Sequence, residues 1–292
     1  MQYGFSIKRK CYLLSVLLMT VWLTGCVQEE FESTPSPAGN GIRFTLTVPD
    51  VNLPSVSSRT MTGTGTAKKE DEIETVDILV FDMSKTPAVF LEWVSATGVT
   101  QDLADNSTVS FSAVLSPTTA STCIVVVANK ELDNIVSGFT KGATTKVEAM
   151  EKMLHTQTGK WLADGSTTGG YTRIPMYGEK VISKITPSMD PITGINMKRM
   201  LARIDIRNNS ATSNFTVEEV YLANYNTTGY IAPAWNTNGQ VTEPAPDTPV
   251  LPTGSGKMTE EGNAILYSVN GNTLYDGEIY TFESLAAEDA GG

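Results

Sequence analysis

Short stretches in which apolar side chains alternate with polar ones recur along most of this 292-residue chain. The clearest stretch has apolar side chains at four alternate positions, Ile42, Phe44, Leu46 and Val48. A period of two puts these side chains on one face of a β-strand, so the stretch predicts a half-buried strand. The chain also contains 38 threonines, 24 glycines and 14 prolines. Because β-branched residues favour strands and glycine and proline favour turns, the sequence predicts an all-β protein.

Further strand candidates are spread along the rest of the chain. We predict strands at 73–82, 89–94, 109–115, 123–128, 174–177, 181–185, 200–206, 217–222, 264–269 and 279–282. The segment Cys123–Ala128 is apolar on both faces, which indicates a central strand that is covered on both sides. Many short strands separated by turn signals indicate β-sandwiches. The parts before and after about residue 190 each contain enough strands for one sandwich.

One segment has the pattern of a helix rather than that of a strand. Thr145 and Glu148 have the spacing of a capping box. Apolar side chains then recur at helical spacing, at Val147, Met150 and Leu154. We therefore predict one short helix from Lys146 to Leu154.

The first 26 residues have the features of an export signal and are kept out of the fold prediction. Three basic residues at 8–10 precede the apolar run Cys11–Leu23, which is too short to span a bilayer comfortably. The run leads into Leu23-Thr24-Gly25-Cys26, which has the form of a bacterial lipobox. We predict a signal peptide at 1–25 and lipidation of Cys26 by acyl chains such as palmitate, which together anchor a chain stably. The acidic residues that follow resemble the surface-export signal of some outer-membrane lipoproteins.

Charge and composition disfavour several other functions. The formal net charge of −11 makes nucleic acid a poor partner, because its phosphates would repel the chain. The only histidine, His155, is expected to be a satisfied surface or helix-end residue, and one histidine excludes a multi-histidine metal site. Cys123 lies in an apolar strand and is expected to be a buried, unreactive thiol. Walker, GxSxG, HExxH and EF-hand motifs are missing from the sequence. We therefore predict no enzymatic activity, no cofactor and no metal.

Six features follow one another along the chain in a fixed order. They are the lipobox at Cys26 with the strand Ile42–Val48, IETVDILVFD at 73–82, CIVVVANK at 123–130, the capped helix, IPMYGE at 174–179 and MKRMLARIDI at 197–206. Their combination resembles the fimbrillin family, the major subunits of type V pili. The resemblance implies two tandem transthyretin-like or Ig-like β-sandwich domains, at 60–190 and 191–292, with one short helix in the first. The second domain is expected to be incomplete, because the family's pattern continues beyond the strand at 280–283.

The resemblance also implies a route of assembly. Such subunits reach the outer membrane as lipoproteins, and an Arg-specific, trypsin-like protease then cuts in the loop beyond the first strand. Here the cut would fall between Arg59 and Thr60, whereas Arg43 is disfavoured because it lies inside the strand. Cleavage would free residues 26–59 and open a groove that a strand of a neighbouring subunit fills. The resemblance thus implies a subunit of a cell-surface fimbrium that supports adhesion to host or bacterial surfaces.

Other functions stay open at this stage. A pilus anchor subunit would keep its lipid and resist cleavage. A surface glycan-binding lipoprotein would need an exposed aromatic platform, for which Trp235 with Tyr225 and Tyr230 is the best candidate. A hydrolase that uses a serine and His155 is disfavoured, because no catalytic motif accompanies this histidine.

Overall fold

The structure, a computed structural model, describes residues 41–48, 70–101, 108–161, 172–206, 217–243, 249–253, 257–258, 264–268 and 275–284. All of these residues belong to one unit of the chain, Asn40–Gly292. The predicted signal peptide, Cys26, Arg59 and Thr60 lie outside the described residues. No helix in the described ranges is long and apolar enough to cross a membrane.

Strands dominate the described part of the chain, and the prediction of an all-β fold is confirmed. In chain order the strands are β1 Ile42–Thr47, β2 Val76–Asp82, β3 Val89–Ser95, β4 Thr97–Gln101, β5 Thr108–Ala113, β6 Thr122–Ala128, β7 Leu154–Thr156, β8 Met176–Ile182, β9 Ile192–Asn196, β10 Lys198–Arg199, β11 Ala202–Ile206, β12 Glu219–Leu222, β13 Tyr225–Asn226, β14 Thr228–Tyr230, β15 Lys257–Met258, β16 Ile265–Ser268 and β17 Tyr275–Thr281. The helices are α1 Asp133–Val136 and α2 Lys146–Lys152.

Nine of these strands form two sheets. The first sheet has the order β4-β5-β1-β9, and the second has the order β10-β8-β6-β2-β3. Strand β6 lies in the middle of the second sheet, between β2 and β8, and all of its residues are buried. This confirms the predicted central strand at Cys123–Ala128. Because β6 has a packed core on each face, it lacks the polar alternation of the other strands.

The main core lies between the two sheets, and this arrangement is a β-sandwich. It combines residues of β1 and β5 in the first sheet with residues of β2 and β6 in the second, including Ile42, Phe44, Leu46, Val109, Phe111, Ile78, Val80, Ile124 and Val126. A second core covers the opposite face of the second sheet. It includes Leu79, Phe81, Val125, Val127, Met150, Trp161, Ile231 and Phe282. Residues from late in the chain therefore help to cover the sheets formed by earlier ones.

Helix α2 begins as predicted but ends earlier. The Thr145 hydroxyl accepts a hydrogen bond from the backbone N–H of Glu148, and the Glu148 carboxylate accepts one from the N–H of Thr145. The capping box is thereby confirmed. The helix ends at Lys152, and Leu154 is the first residue of β7. The residues it buries are Lys146, Ala149 and Met150. Of the three residues on the predicted apolar face, only Met150 is buried. The helix also buries Lys146, which has hydrogen-bond partners inside the protein.

Three strand predictions need correction. Residues 73–75 are irregular and β2 begins at Val76, because the N–H groups of Ile73 and Glu74 bind the side chains of Gln101 and Asn129 instead of a neighbouring strand. The two strands predicted at 174–177 and 181–185 form the single strand β8. In β11 the apolar residues Ala202 and Ile204 are exposed, whereas Arg203 is half-buried in an ion pair. The inward-facing side chain of this strand is therefore the charged one of Arg203, where apolar alternation would place Ala202 and Ile204.

Beyond residue 200, the described strands form two-stranded ladders. Strand β11 pairs with β17, β12 with β16, β13 with β15, and β14 with β7. Before residue 200, β9 pairs with β1 and β10 pairs with β8. Strands on both sides of residue 190 thus belong to the two sheets, and the predicted division into domains at that residue stays a prediction.

Candidate functional site

Strand β1 is an interior strand of the first sheet. On one side it runs antiparallel to β5, with Phe44 opposite Phe111 and Leu46 opposite Val109. On the other side it runs parallel to β9, with Leu46 opposite Ile195. We call the space that β1 occupies between β5 and β9 the β1 slot. Both edges of β1 are therefore hydrogen-bonded within the sheet.

The apolar residues predicted for the first strand are all buried. Ile42, Phe44, Leu46 and Val48 expose 4%, 1%, 0% and 1% of their surface. The ring of Phe44 stacks on the ring of Phe111, with centroids 5.0 Å apart and planes 5° from parallel. Burial of one such side chain is worth about 1.5–3 kcal/mol, so four of them contribute roughly 6–12 kcal/mol. The slot is thus the place where β1 contributes to the stability of the fold.

One wall of the slot approaches the second sheet at a glycine. A Cβ atom on Gly178 of β8 would lie 2.7 Å from the Sδ atom of Met197 and 2.8 Å from Cγ2 of Ile195. Real Cβ atoms essentially never come this close to other heavy atoms. The missing side chain at Gly178 therefore allows β9 to pack where it does.

We expect the substitution Gly178→Ala to lower the free energy of unfolding by about 1–3 kcal/mol, because Ile195 and Met197 must move. Gly138→Ala is the matched control, since a Cβ there would make only ordinary contacts, the nearest at 3.6 Å from the Ile135 carbonyl oxygen. Guanidinium unfolding of both variants measures the difference. Equal stabilities of the two variants would contradict the close approach of β9.

The chain just before β2 is irregular and is held by side chains. We call residues 70–75 the acidic strap, because four of these six residues are acidic. Glu70 is only 3% exposed. Its carboxylate accepts hydrogen bonds from Nη1 of Arg203 at 2.8 and 2.9 Å and from the Tyr280 hydroxyl at 2.5 Å. A buried carboxylate is tolerated when it is paired, so these contacts tie the start of the strap to β11 and β17.

Asp71 of the strap connects two distant parts of the fold. Its carboxylate accepts a hydrogen bond from Nη2 of Arg199 at 2.6 Å, and its backbone carbonyl accepts one from Nε2 of Gln101 at 2.7 Å. Nε of Arg199 also donates to the carbonyl of Glu70 at 3.1 Å, and Oε1 of Gln101 accepts from the N–H of Ile73 at 3.1 Å. Gln101 is the last residue of β4 and Arg199 the last of β10, so the strap links these two strands.

The remainder of the strap is bound by Arg173 and Asn129. Arg173 pairs with Glu72 at 3.3 Å and with Glu74 at 2.7 Å. Asn129 donates from Nδ2 to the carbonyl of Glu72 at 2.7 Å and accepts from the N–H of Glu74 at 3.0 Å. These contacts were not predicted from the sequence. The cluster of acidic residues at 70–74, together with arginines on later segments, could have indicated that this segment forms ion pairs.

His155 does not end helix α2, and the prediction of a satisfied surface residue is wrong. It is the middle residue of β7, opposite Gly229 of β14. The centroid of its ring lies 4.9 Å from that of Trp161 and 6.4 Å from that of Phe282. Neither ring nitrogen has a hydrogen-bond partner among the described residues. Burial lowers the pKa of His155 from 6.5 to about 4, and the charge of Lys130 acts in the same direction.

We expect His155 to make the chain less stable as the pH falls from about 6.5 to about 4. Its pKa is lower in the folded state than in the unfolded state, so the unfolded state binds the extra proton in this window and stability rises with pH through it. His155→Phe removes this contribution. Chemical unfolding at pH 7 and pH 4.5 should show a smaller loss of stability in the variant than in the wild type. Equal losses would contradict the lowered pKa.

A buried lysine forms a polar cluster that the sequence did not reveal. Lys146 is 1% exposed, and its Nζ donates to Oε2 of Glu179 and to the carbonyl of Gly239, both at 2.6 Å. The Tyr177 hydroxyl donates to the same carboxylate oxygen at 2.5 Å. Lysine is rarely buried completely, so no local pattern predicts this role for Lys146. Cys123 is buried as predicted, and burial raises the pKa of its thiol to about 12, so it is unreactive.

The three rings considered as a candidate aromatic platform do not form one. Tyr225 is buried in a small third core with Ile265, Tyr267 and Ile279. Tyr230 and Trp235 contact each other edge to face, with centroids 4.8 Å apart, and Trp235 packs against the second core. The three rings are therefore not brought together on one exposed surface. In the described part of the chain, no group of three or more His, Cys, Asp or Glu side chains could hold a metal ion.

These observations define an all-β protein in which the first described strand fills a slot inside a sheet. The sequence matches the family model of the major fimbrial subunit protein (FimA) over residues 42–240, which is more than half of the chain. The chain therefore belongs to the major fimbrial subunit family. It is a structural subunit of a cell-surface fimbrium and associates with other pilus subunits, and its family is not a class of enzymes.

Three solved structures are similar to this chain at low identity. A fimbrial assembly protein from Parabacteroides distasonis is 11% identical, with 86% of this chain and 78% of that chain covered and a TM-score of 0.41. A candidate cell adhesion protein from the same organism is 16% identical, with coverages of 86% and 73% and a TM-score of 0.49. A candidate polysaccharide-binding protein from Bacteroides thetaiotaomicron is 12% identical, with coverages of 65% and 60% and a TM-score of 0.31. A search of curated proteins finds no match.

Proposed function

We propose that this fimbrial subunit is made as an outer-membrane lipoprotein and is prepared for assembly by proteolysis. The signal peptide 1–25 is removed and Cys26 is lipidated. An Arg-specific, trypsin-like protease then cuts between Arg59 and Thr60. The released segment 26–59 carries β1, and a strand of another subunit takes its place.

The position of β1 is the observation that carries this proposal. Segment 49–69 joins β1 to the acidic strap and contains a single arginine, Arg59. Departure of β1 would leave unpaired backbone groups on β5 and β9, with an apolar groove between them. Such edges are templates for the addition of another strand. Arg43 is a poorer site for the protease, because it lies inside β1 opposite Ser112.

The replacement strand must meet the same requirements as β1. It needs apolar side chains at alternate positions, and the side chain that takes the place of Phe44 must pack against the ring of Phe111. We propose that this strand belongs to another subunit of the same fimbrium. The contact is then head-to-tail, and such contacts generate open fibres when the rotation between subunits does not close.

Treatment with an Arg-specific protease, followed by intact-mass measurement, tests the cut. We expect one early product that begins at Thr60 and then persists. The variant Arg59→Gln is the matched control and should remain intact under the same conditions. A wild-type chain in which Arg59 is protected would contradict the proposal and favour an anchor subunit that keeps its lipid.

The same digestion also tests the proposed domains at 60–190 and 191–292. Rapid loss of everything after about residue 190 would support a domain boundary there and a second domain that is less stable than the first. Retention of both parts at the same rate would contradict a second domain that is less stable than the first.

Lipidation has its own test. Cells that are fed labelled palmitate should incorporate it into the wild-type chain and not into the variant Cys26→Ser. Equal labelling of the two chains would contradict Cys26 as the lipid site.

A further inference from the structure

We propose that Asp71 is a positioning residue that keeps the β1 slot open at the width of one strand after β1 has left. This inference rests on the proposed function, in which β1 is exchanged for a strand of another subunit. The brace proposed below acts on the empty slot itself, between the departure of β1 and the entry of the new strand.

The two walls of the slot are secured differently. Strand β5 pairs with β4 on its far side and keeps this partner when β1 leaves. Strand β9 is the outermost strand of the first sheet, and β1 is its strand partner among the described residues. The N–H of Met197, directly after β9, also donates to the carbonyl of Thr47 in β1 at 2.9 Å. Loss of β1 therefore removes the ladder of β9 but not the outer ladder of β5.

The acidic strap joins the two sides of the slot at one end. Gln101 of β4 lies opposite Val109 of β5, which in turn lies opposite Leu46 of β1. Arg199 follows β9 by three residues. Asp71 binds both of these residues, Gln101 through its backbone carbonyl and Arg199 through its carboxylate. We call this pair of contacts the brace. Neither contact includes a residue of β1, so the brace persists when β1 leaves.

An empty slot without a brace would tend to close. Neighbouring strands are about 4.8 Å apart, so β5 and β9 face each other across about 10 Å once β1 is gone. Apolar side chains on the two walls would then be driven together, because closure removes their surface from water.

The brace opposes this closure through charged partners that are already in place. Arg199 is bound to Asp71 at 2.6 Å and to the carbonyl of Glu70 at 3.1 Å, and Glu70 is held in turn by Arg203 and Tyr280. Movement of the segment after β9 would break these charge-assisted hydrogen bonds. A slot that is held open in advance also binds a strand with less loss of conformational entropy.

The test measures how strongly the protease-treated chain takes up a strand. The probe is a fluorescein-labelled synthetic peptide of residues 41–50, followed by fluorescence anisotropy. Arg199→Gln and Gln101→Leu each remove one arm of the brace. Arg173→Gln is the matched control, because it removes the same charge from a partner of the same strap, at Glu72 and Glu74.

We expect both brace variants to bind the peptide about tenfold more weakly than the wild type, because Arg199→Gln removes a charge-assisted hydrogen bond and Gln101→Leu removes two neutral ones, to the carbonyl of Asp71 and from the N–H of Ile73. Arg173→Gln should stay within about twofold of the wild type. Arg199→Lys keeps the charge and should recover part of the affinity. Thermal unfolding of each uncut chain, measured alongside, separates a general loss of stability from a loss of strand uptake.

The outcomes distinguish the brace from the proposed function. A treated wild-type chain that takes up no peptide would contradict the proposed function, and the brace would fall with it. Peptide binding that is equal in the wild type and both brace variants would overturn the brace alone. A loss of affinity in Arg173→Gln as large as that in the brace variants would also overturn the brace alone. If Arg199→Gln does not fold, the result for Gln101→Leu decides, because Gln101 lies on the other side of the slot.

Discussion

Replacing Phe44 by alanine should lower the free energy of unfolding of the uncut chain by about 3–5 kcal/mol. Phe44 is 1% exposed, and its ring stacks on that of Phe111 in the middle of the sandwich. The substitution removes the ring from a core that has a sheet on each side, where little can collapse into the cavity. Guanidinium unfolding at neutral pH measures the change.

Thr45→Ala is the control for Phe44→Ala, because Thr45 is the next residue of the same strand and faces the opposite side, opposite Ser110. It is half-buried, and we expect it to cost less than about 1 kcal/mol. A Phe44→Ala variant as stable as Thr45→Ala would show that the Phe44 ring contributes little to holding β1 in its slot. The proposal that a replacement strand needs an apolar residue at this position would then lose its basis.

Replacing Lys146 by methionine should also lower the free energy of unfolding, by about 2–4 kcal/mol, because the buried lysine is removed and the partly exposed carboxylate of Glu179 loses its partner. The carboxylate of Glu179 and the carbonyl of Gly239 both lose the donor that lies 2.6 Å away. Thermal and guanidinium unfolding measure the loss. Lys141→Met is the matched control at an exposed position, where a change of no more than about 0.5 kcal/mol is expected.

The double variant Lys146→Met/Glu179→Leu sharpens this prediction. It replaces both charged partners by apolar groups, and such a replacement commonly recovers stability that the single variant loses. We therefore expect the double variant to be more stable than Lys146→Met. If Lys146→Met is no less stable than Lys141→Met, the ion pair with Glu179 is not an important contact in solution.

Local patterns explain why parts of the fold could be predicted from the sequence. The alternation in β1, the apolar run in β6 and the capping box at Thr145 and Glu148 are each contained within a few consecutive residues. Such patterns report which side of a strand is buried or where a helix begins. They do not report which strands are neighbours. Nothing in the sequence of β1 indicates that it lies between β5 and β9.

The elements that were missed depend on contacts between distant residues or on interrupted patterns. Strand β9 was not predicted, because Gly194 in its centre has φ of 71° and breaks the apolar alternation. Glu70 and Arg203 are 133 residues apart, and local periodicity does not connect them. His155 was assigned to a helix end because β14, the strand that pairs with it, lies far along the chain. Of the candidate site, the sequence therefore predicted the buried residues of β1 but not the walls or the strap.

The mixed pairing of β1 has a consequence for the direction of a fibre built through the slot. Antiparallel ladders have hydrogen bonds perpendicular to the strands, whereas parallel ladders have slanted, evenly spaced ones. Because β1 runs antiparallel to β5 and parallel to β9, a strand that entered in reverse would run parallel to β5 and antiparallel to β9, and it could not form the hydrogen bonds that β1 forms. The slot thus distinguishes the two ends of an incoming strand. Under the proposed assembly every subunit would be added in the same direction, and the fibre would have one growing end and one base.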